Sequence, residues 1–314
     1  MKRFCVLLSM FLMLRAAAGV PQALAGIHSD AGTTSLNFLK IPVGARAAAM
    51  GGAFSAVVGD ASAVFWNPAG LEEAEPMEMF FMHHRFIEDI TQSAAGFVFD
   101  LRQVRLGVSM NYFSMGELER RSHNSVVPEG VFTPFDMALG LSASYSVNEN
   151  ISVGATGRFV HEDLDSETAR AVLADLGLKA RIPQVPGLVA AVTVRNLGSK
   201  LKYERTGYDA PRLVSLGAAW LKVLPWKRST LLVSSEITVP NDNNTRVSIG
   251  GEYGYQDFLF GRLGYRNGLD YEDVSFGFGM RWRKLRFDYA FVPLSNLGNS
   301  HRFSFIYGFK GLWK

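Results

Sequence analysis

From about residue 76 onward, apolar side chains alternate with small or polar ones in segments of about ten residues, the period of two that a strand with two unlike faces requires. Met137, Leu139, Leu141, Ala143, Tyr145 and Val147 alternate with Ala138, Gly140, Ser142, Ser144 and Ser146. Val274, Phe276, Phe278, Met280 and Trp282 alternate with Ser275, Gly277, Gly279 and Arg281. In the last segment Phe303, Phe305, Tyr307 and Phe309 alternate with Arg302, Ser304, Ile306 and Gly308. The pattern predicts about fourteen strands, beginning near Pro76, Thr91, Val104, Asp136, Asn150, Ala169, Gly187, Arg212, Arg228, Thr245, Asp257, Glu272, Leu285 and His301. Proline donates nothing to a ladder and should avoid strand interiors. Pro128, Pro134, Pro183, Pro186, Pro211, Pro225 and Pro240 fall between these segments, and Pro76 and Pro293 at segment ends.

The connections alternate in length. Leu101 to Gln103, Asn148 to Glu149, Tyr255 to Gln256 and Arg283 to Lys284 are tight turns, whereas Ser114 to Phe135 and Leu197 to Pro211 are long. Short inner turns and longer outer loops are the habit of a transmembrane barrel. The expected fold is therefore all-β: an outer-membrane barrel of about fourteen antiparallel strands, its apolar face against lipid and no unpaired backbone in hydrocarbon. Trp220, Trp226, Trp282 and Trp313 fall at inner strand ends, as an interfacial girdle would. Arg158, Glu236, Glu252, Arg281, Arg286 and Asp288 fall on the polar face, where opposite charges can pair across the lumen.

Composition agrees. Of 314 residues 48% are hydrophobic, with 23 Phe and 31 Gly, so a disordered chain is excluded. Yet no apolar run after residue 25 approaches the roughly 20 residues of a spanning helix. Residues 1–25 read as an export signal: Lys2 and Arg3, an apolar core Phe4 to Leu14, then Ala23-Leu24-Ala25 before cleavage. Residues 26–75 form a separate N-terminal segment and residues 76–314 the barrel. The 32 basic and 29 acidic residues include Lys2, Arg3 and Arg15, so the remainder is balanced, which argues against a nucleic-acid partner. Cys5, the one cysteine, lies in the signal, leaving no disulfide or thiolate site.

Candidate chemistry is sparse, and no metal or other cofactor is called for. His83 and His84 are adjacent, so in a strand they point to opposite faces. His161-Glu162-Asp163 lies at a loop edge and reads as a solvated rim, and no Gly-x-Ser-x-Gly elbow is present. An enzyme is not expected. The segment before the barrel is rich in small residues, with a short helix expected at Ala45 to Met50 and a turn at Asn67-Pro68.

The run Gly44 to Gly52, the step Asp60-Ala61-Ser62-Ala63 and the motif Trp66-Asn67-Pro68-Ala69-Gly70-Leu71 resemble the start of the PorV/PorQ family of outer-membrane proteins. That family is itself similar to FadL-type long-chain fatty-acid transporters. The likeness continues through Asp175-Leu176-Gly177, Asn196-Leu197-Gly198 and Asp288-Tyr289-Ala290. It implies a fourteen-stranded barrel whose N-terminal segment folds into the lumen as a hatch, with Asn67, Pro68 and Ala69 shaping the plug and a ligand's route. It also implies two readings. As a PorV-like component of type IX protein secretion, the barrel would hold exported cargo or secretion-system proteins through Arg120, Arg121, Lys200, Lys202, Glu204 and Arg205 on its outer loops. As a FadL-like channel, it would pass a hydrophobic small molecule along Phe38, Leu39, Phe54, Phe65 and Trp66 of the hatch. Sequence leaves both open.

Overall fold

A computed structural model describes residues 28–309 apart from 125, 166, 204–205 and 269–273. The signal reading of residues 1–25, Cys5, Glu204, Arg205 and Trp313 lie outside the described residues. Fourteen strands build the wall. They are β1 (Met77–Arg85), β2 (Thr91–Asp100), β3 (Arg105–Ser114), β4 (Phe135–Asn148), β5 (Ile151–Leu164), β6 (Glu167–Arg181) and β7 (Leu188–Gly198), then β8 (Leu213–Val223), β9 (Thr230–Pro240), β10 (Arg246–Tyr255), β11 (Leu259–Asn267), β12 (Val274–Trp282), β13 (Leu285–Pro293) and β14 (Asn299–Gly308). Each pairs antiparallel with its sequence neighbour, and β14 pairs with β1 to close the barrel. The strand number is as the alternation predicts, because one face of every strand meets lipid and the other the interior.

Those faces are distinct. Leu141, Phe276 and Phe303 point outward at 60%, 46% and 44% exposure, while their neighbours Ser142, Ser275 and Arg302 are buried inside. An apolar exterior on a closed sheet with tight turns at one end and long loops at the other is an outer-membrane β-barrel. Trp220, Trp226 and Trp282 lie at its tight-turn end. The two long loops each carry a two-stranded hairpin: Leu118–Arg120 with Gly130–Phe132, and Leu201–Tyr203 with Thr206–Tyr208. Leu201 is fully buried among Leu36, Phe38 and Phe113, so the second hairpin folds down over the lumen.

The described residues before β1 run inside the barrel as the hatch. They form two short helices, α1 (Ala45–Ala49) and α2 (Ala63–Trp66), and two 3-10 turns, Asn37–Lys40 and Pro68–Glu73. Asn67 caps the second turn, its Oδ1 accepting the Ala69 N–H at 3.1 Å, and Pro68 follows where a missing N–H costs nothing. The core therefore lies within the barrel: Met50, Phe54, Val58, Val64 and Leu71 pack against Phe80, Met82, Val98 and Ile306 of the wall.

Wall and hatch approach more closely than any side chain allows. A Cβ on Gly264 would lie 2.1 Å from the Gly51 nitrogen, and one on Gly154 would lie 2.5 Å from the Pro68 carbonyl carbon. Glycine at these wall positions is thus a docking requirement. Replacing Gly264→Val should leave a barrel that still migrates faster unboiled than boiled, while trypsin reaches Arg46 in the displaced hatch. Protection of Arg46 equal to the wild type would refute this account of the seat.

Candidate functional site

A segment with little regular structure brings many peptide groups into a water-poor lumen, and each needs a partner. The wall supplies them. Glu236 Oε2 accepts the N–H groups of Phe54 and Ser55 at 3.0 and 2.8 Å, and Glu78 Oε2 accepts that of Ala61 at 2.9 Å. The Ala45 N–H donates to Ser304 Oγ at 2.7 Å. Arg266 Nε donates to the Gly51 carbonyl at 2.7 Å, and Lys179 Nζ to that of Val58 at 2.6 Å. Within the hatch, Trp66 Nε1 donates to the Val43 carbonyl at 2.7 Å. Asn67 Nδ2 donates to the Ser55 carbonyl at 3.0 Å and reaches Leu178 O on β6 at 3.4 Å.

Beside α1 lies an ionic cluster. Arg46 grips Glu252 through Nε and Nη2 at 2.8 and 2.7 Å. Arg262 bridges Glu252 at 2.6 Å and Asp288 at 2.8 Å, and Arg286 holds Asp288 at 2.9 Å. Asp60 of the hatch stands 3.7 Å from Arg286 and 4.0 Å from Arg46. Three guanidinium groups thus meet three carboxylates, which keeps a buried cluster neutral.

The polar-face residues separate into three kinds. Glu252, Arg286 and Asp288 join the cluster, and Arg158 bonds Asn196 and Asp175 beside an irregularity in the β6–β7 pairing. Glu236, expected to meet an opposite charge, serves hatch amides instead, because the hatch occupies the space across which a partner would reach. Arg281 does not join the network: it is exposed at the inner mouth, its guanidinium 5.3 Å from the centre of the Phe260 ring.

The hatch residues also divide. Phe65 and Trp66 line a small cavity of about 60 Å³ together with Arg158, Arg195 and Glu236. Phe54 lies edge-on to Trp66 at 5.6 Å, fully buried. Asn67, Pro68 and Ala69 are buried at the seat formed by Gly154 and Gly177 and do not line this cavity. On the outer loops, Arg120 pairs with Asp165, Arg121 with Glu119 at 2.7 Å and Lys200 with Asp209 at 3.2 Å, while Lys202 is exposed.

A second cavity of about 1050 Å³ opens at the long-loop end. Its floor is the hatch from Leu36 to Pro42, and Phe113, Met115, Leu164 and Tyr203 form an apolar flank. Lys40, Ile41 and Pro42 border both cavities, so this stretch separates them. Lys40 Nζ is anchored to Asp242 at 2.6 Å, and Thr34 bonds the same carboxylate. Burial acts to raise the Asp242 pKa, but the bonds from Lys40 and Thr34 outweigh it and hold it below the ordinary value.

Asp136 and Glu162 face the same cavity. Glu162, expected on a solvated rim, is only 8% exposed, because β5 continues past it to Leu164 and turns it inward. Tyr203 on the outer hairpin stands beside it; burial and the approach of the Glu162 carboxyl raise the tyrosine pKa. Among the described residues no group of three or more His, Cys, Asp or Glu side chains converges to hold a metal.

Arg46→Ala should lower stability by about 3–5 kcal/mol, since it leaves two guanidinium groups against three carboxylates in a buried cluster, and adding Glu252→Gln, which restores neutrality, should recover part of that loss. Denaturant titrations of the two variants and the wild type measure it; strictly additive losses would deny the coupling.

The fold matches solved channels. The monoaromatic hydrocarbon channel CymD aligns with a TM-score of 0.60 at 14% identity, covering 85% of this chain and 97% of that one. The Pseudomonas putida toluene transporter TodX aligns at 0.59 and 16% identity, covering 84% and 96%. A Pseudomonas aeruginosa FadL homologue aligns at 0.54 and 14%, covering 86% and 99%. These likenesses establish a FadL-like outer-membrane barrel fold. No curated protein matches the chain in sequence. The profile of the uncharacterised protein family UPF0164 matches residues 16–210, and the chain belongs to that family.

Proposed function

We propose that this barrel admits a hydrophobic small molecule from outside and passes it inward past the hatch. The observation that carries the reading is the outer cavity of about 1050 Å³, whose floor is the hatch and whose flank is apolar. That volume lies at the upper end of the range of ligand sites, which are concave, largely apolar and served by a few placed polar groups. Phe38 and Phe113, with ring centres 6.2 Å apart, would take the apolar part of the ligand. Beyond Lys40 to Pro42, the small cavity at Phe65 and Trp66 is the next space along the route. Movement of that stretch, which the Lys40–Asp242 bridge ties down, would join the two. The fold likeness to channels named for toluene and monoaromatic hydrocarbons supports a ligand of this class.

The secretion reading comes from the PorV/PorQ resemblance and would use outer-loop cations, of which Arg121 and Lys200 pair with acids on their own loops and Arg120 with Asp165 in the β5–β6 turn. The geometry therefore favours uptake.

Purified wild-type barrel should bind propylbenzene saturably, and Phe113→Asp should weaken it about tenfold, equivalent to roughly 1.4 kcal/mol. Calorimetry in detergent reads both. Absence of saturable binding, or binding indifferent to Phe113, would reject the reading.

A further inference from the structure

Two carboxyl groups in the outer cavity have no assigned task. Asp136 on β4 and Glu162 on β5 are register partners, so their side chains leave neighbouring strands at the same level and on the same face. They are 3% and 8% exposed, and Asp136 Oδ1 and Glu162 Oε2 are buried without a hydrogen-bond partner. Both line the cavity. A buried carboxylate without partners is disfavoured, and polar groups left unsatisfied in a folded protein call for an explanation.

The wall elsewhere does not behave this way. Asp175, Glu236, Glu252 and Asp288 all bond an arginine or a hatch amide. No described Lys or Arg pairs with Asp136 or Glu162: of the cavity-lining cations Lys40 is held by Asp242, Arg246 and Arg266 stand on β10 and β11, and Arg302 stands on β14. Tyr203 reaches one side of the Glu162 carboxyl, which leaves Asp136 Oδ1 and Glu162 Oε2 open to a donor that enters the cavity.

We infer that Asp136 and Glu162 form a subsite for the ammonium group of an apolar amine whose hydrocarbon part rests on Phe113 and Met115. This rests on the uptake reading and names its substrate class. An ammonium offers three donors and no acceptor, which suits two carboxyl groups sharing one face. The neighbouring Tyr203 ring adds a surface that attracts cations. A divalent metal fits less well: calcium takes six to eight oxygen ligands, and the described residues hold no cluster of three or more acidic, His or Cys side chains.

The test compares 2-phenylethylamine with propylbenzene, which replaces the ammonium by a methyl group, on the purified full-length barrel at neutral pH. The wild type should bind the amine about tenfold or more tighter than the hydrocarbon. In the double variant Asp136→Asn/Glu162→Gln, amine affinity should fall to that of propylbenzene, whose own affinity stays unchanged. Faster migration of the unboiled variant confirms its fold, and the wild-type comparison decides the matter should the variant misassemble. Equal wild-type affinity for the two probes would overturn the subsite while leaving the uptake reading intact. Failure of both probes to bind would overturn both. Calcium ions that compete with the amine in the wild type and lose affinity in the double variant would overturn it in favour of a metal site.

Discussion

The molecule is organised by one demand: every peptide group of an irregular segment enclosed in a barrel must find a hydrogen-bond partner without water. A helix or a closed sheet satisfies its own backbone, but the hatch, with helices of four and five residues, does not. The wall meets the demand with side chains, so its interior polar residues are fixed less by what passes through the lumen than by where hatch amides and carbonyls fall. Glu236 shows the trade most plainly, spending one carboxylate oxygen on two adjacent N–H groups.

Polar fastening alone would leave orientation loose, and two further features remove that freedom. On one side the Arg46–Glu252–Arg262–Asp288–Arg286 chain fixes α1 against β10, β11 and β13. On the other, Gly154 and Gly177 leave room for Pro68 and Asn67 to lie directly against the strands. Directional charge contacts set angle, and steric contacts set depth. The Lys40 stretch is tied to an outer loop by one salt bridge and meets no wall glycine of the kind that seats Pro68.

The barrel was readable because lipid and lumen impose opposite preferences on alternate residues, and this leaves a period of two in strands such as Val274–Trp282. Strand number, the absence of proline from the interiors of the described strands and the opposite facing of His83 and His84 follow from local pattern. Contacts that depend on two distant segments were not readable. Nothing near Arg46 in sequence indicates Glu252, and Asp60 gives no sign of Arg286. Glu162 was misplaced because strand length beyond the bilayer carries no hydropathy signal: β4 and β5 run to 14 residues, and the excess turns an apparent rim into a buried wall. The loop hairpins escaped notice because three-residue strands are too short to show a period.

Sequence separation gives the hatch a place in the order of assembly. Its bonds reach the far end of the chain, Ala45 to Ser304 spanning 259 positions, and Ser304 lies on the strand that seals the seam with β1. Contacts so remote in sequence form late, after the intervening chain has been ordered. The plug can therefore be fully seated only once the cylinder is closed, because an unsealed sheet cannot offer the hatch its full set of partners.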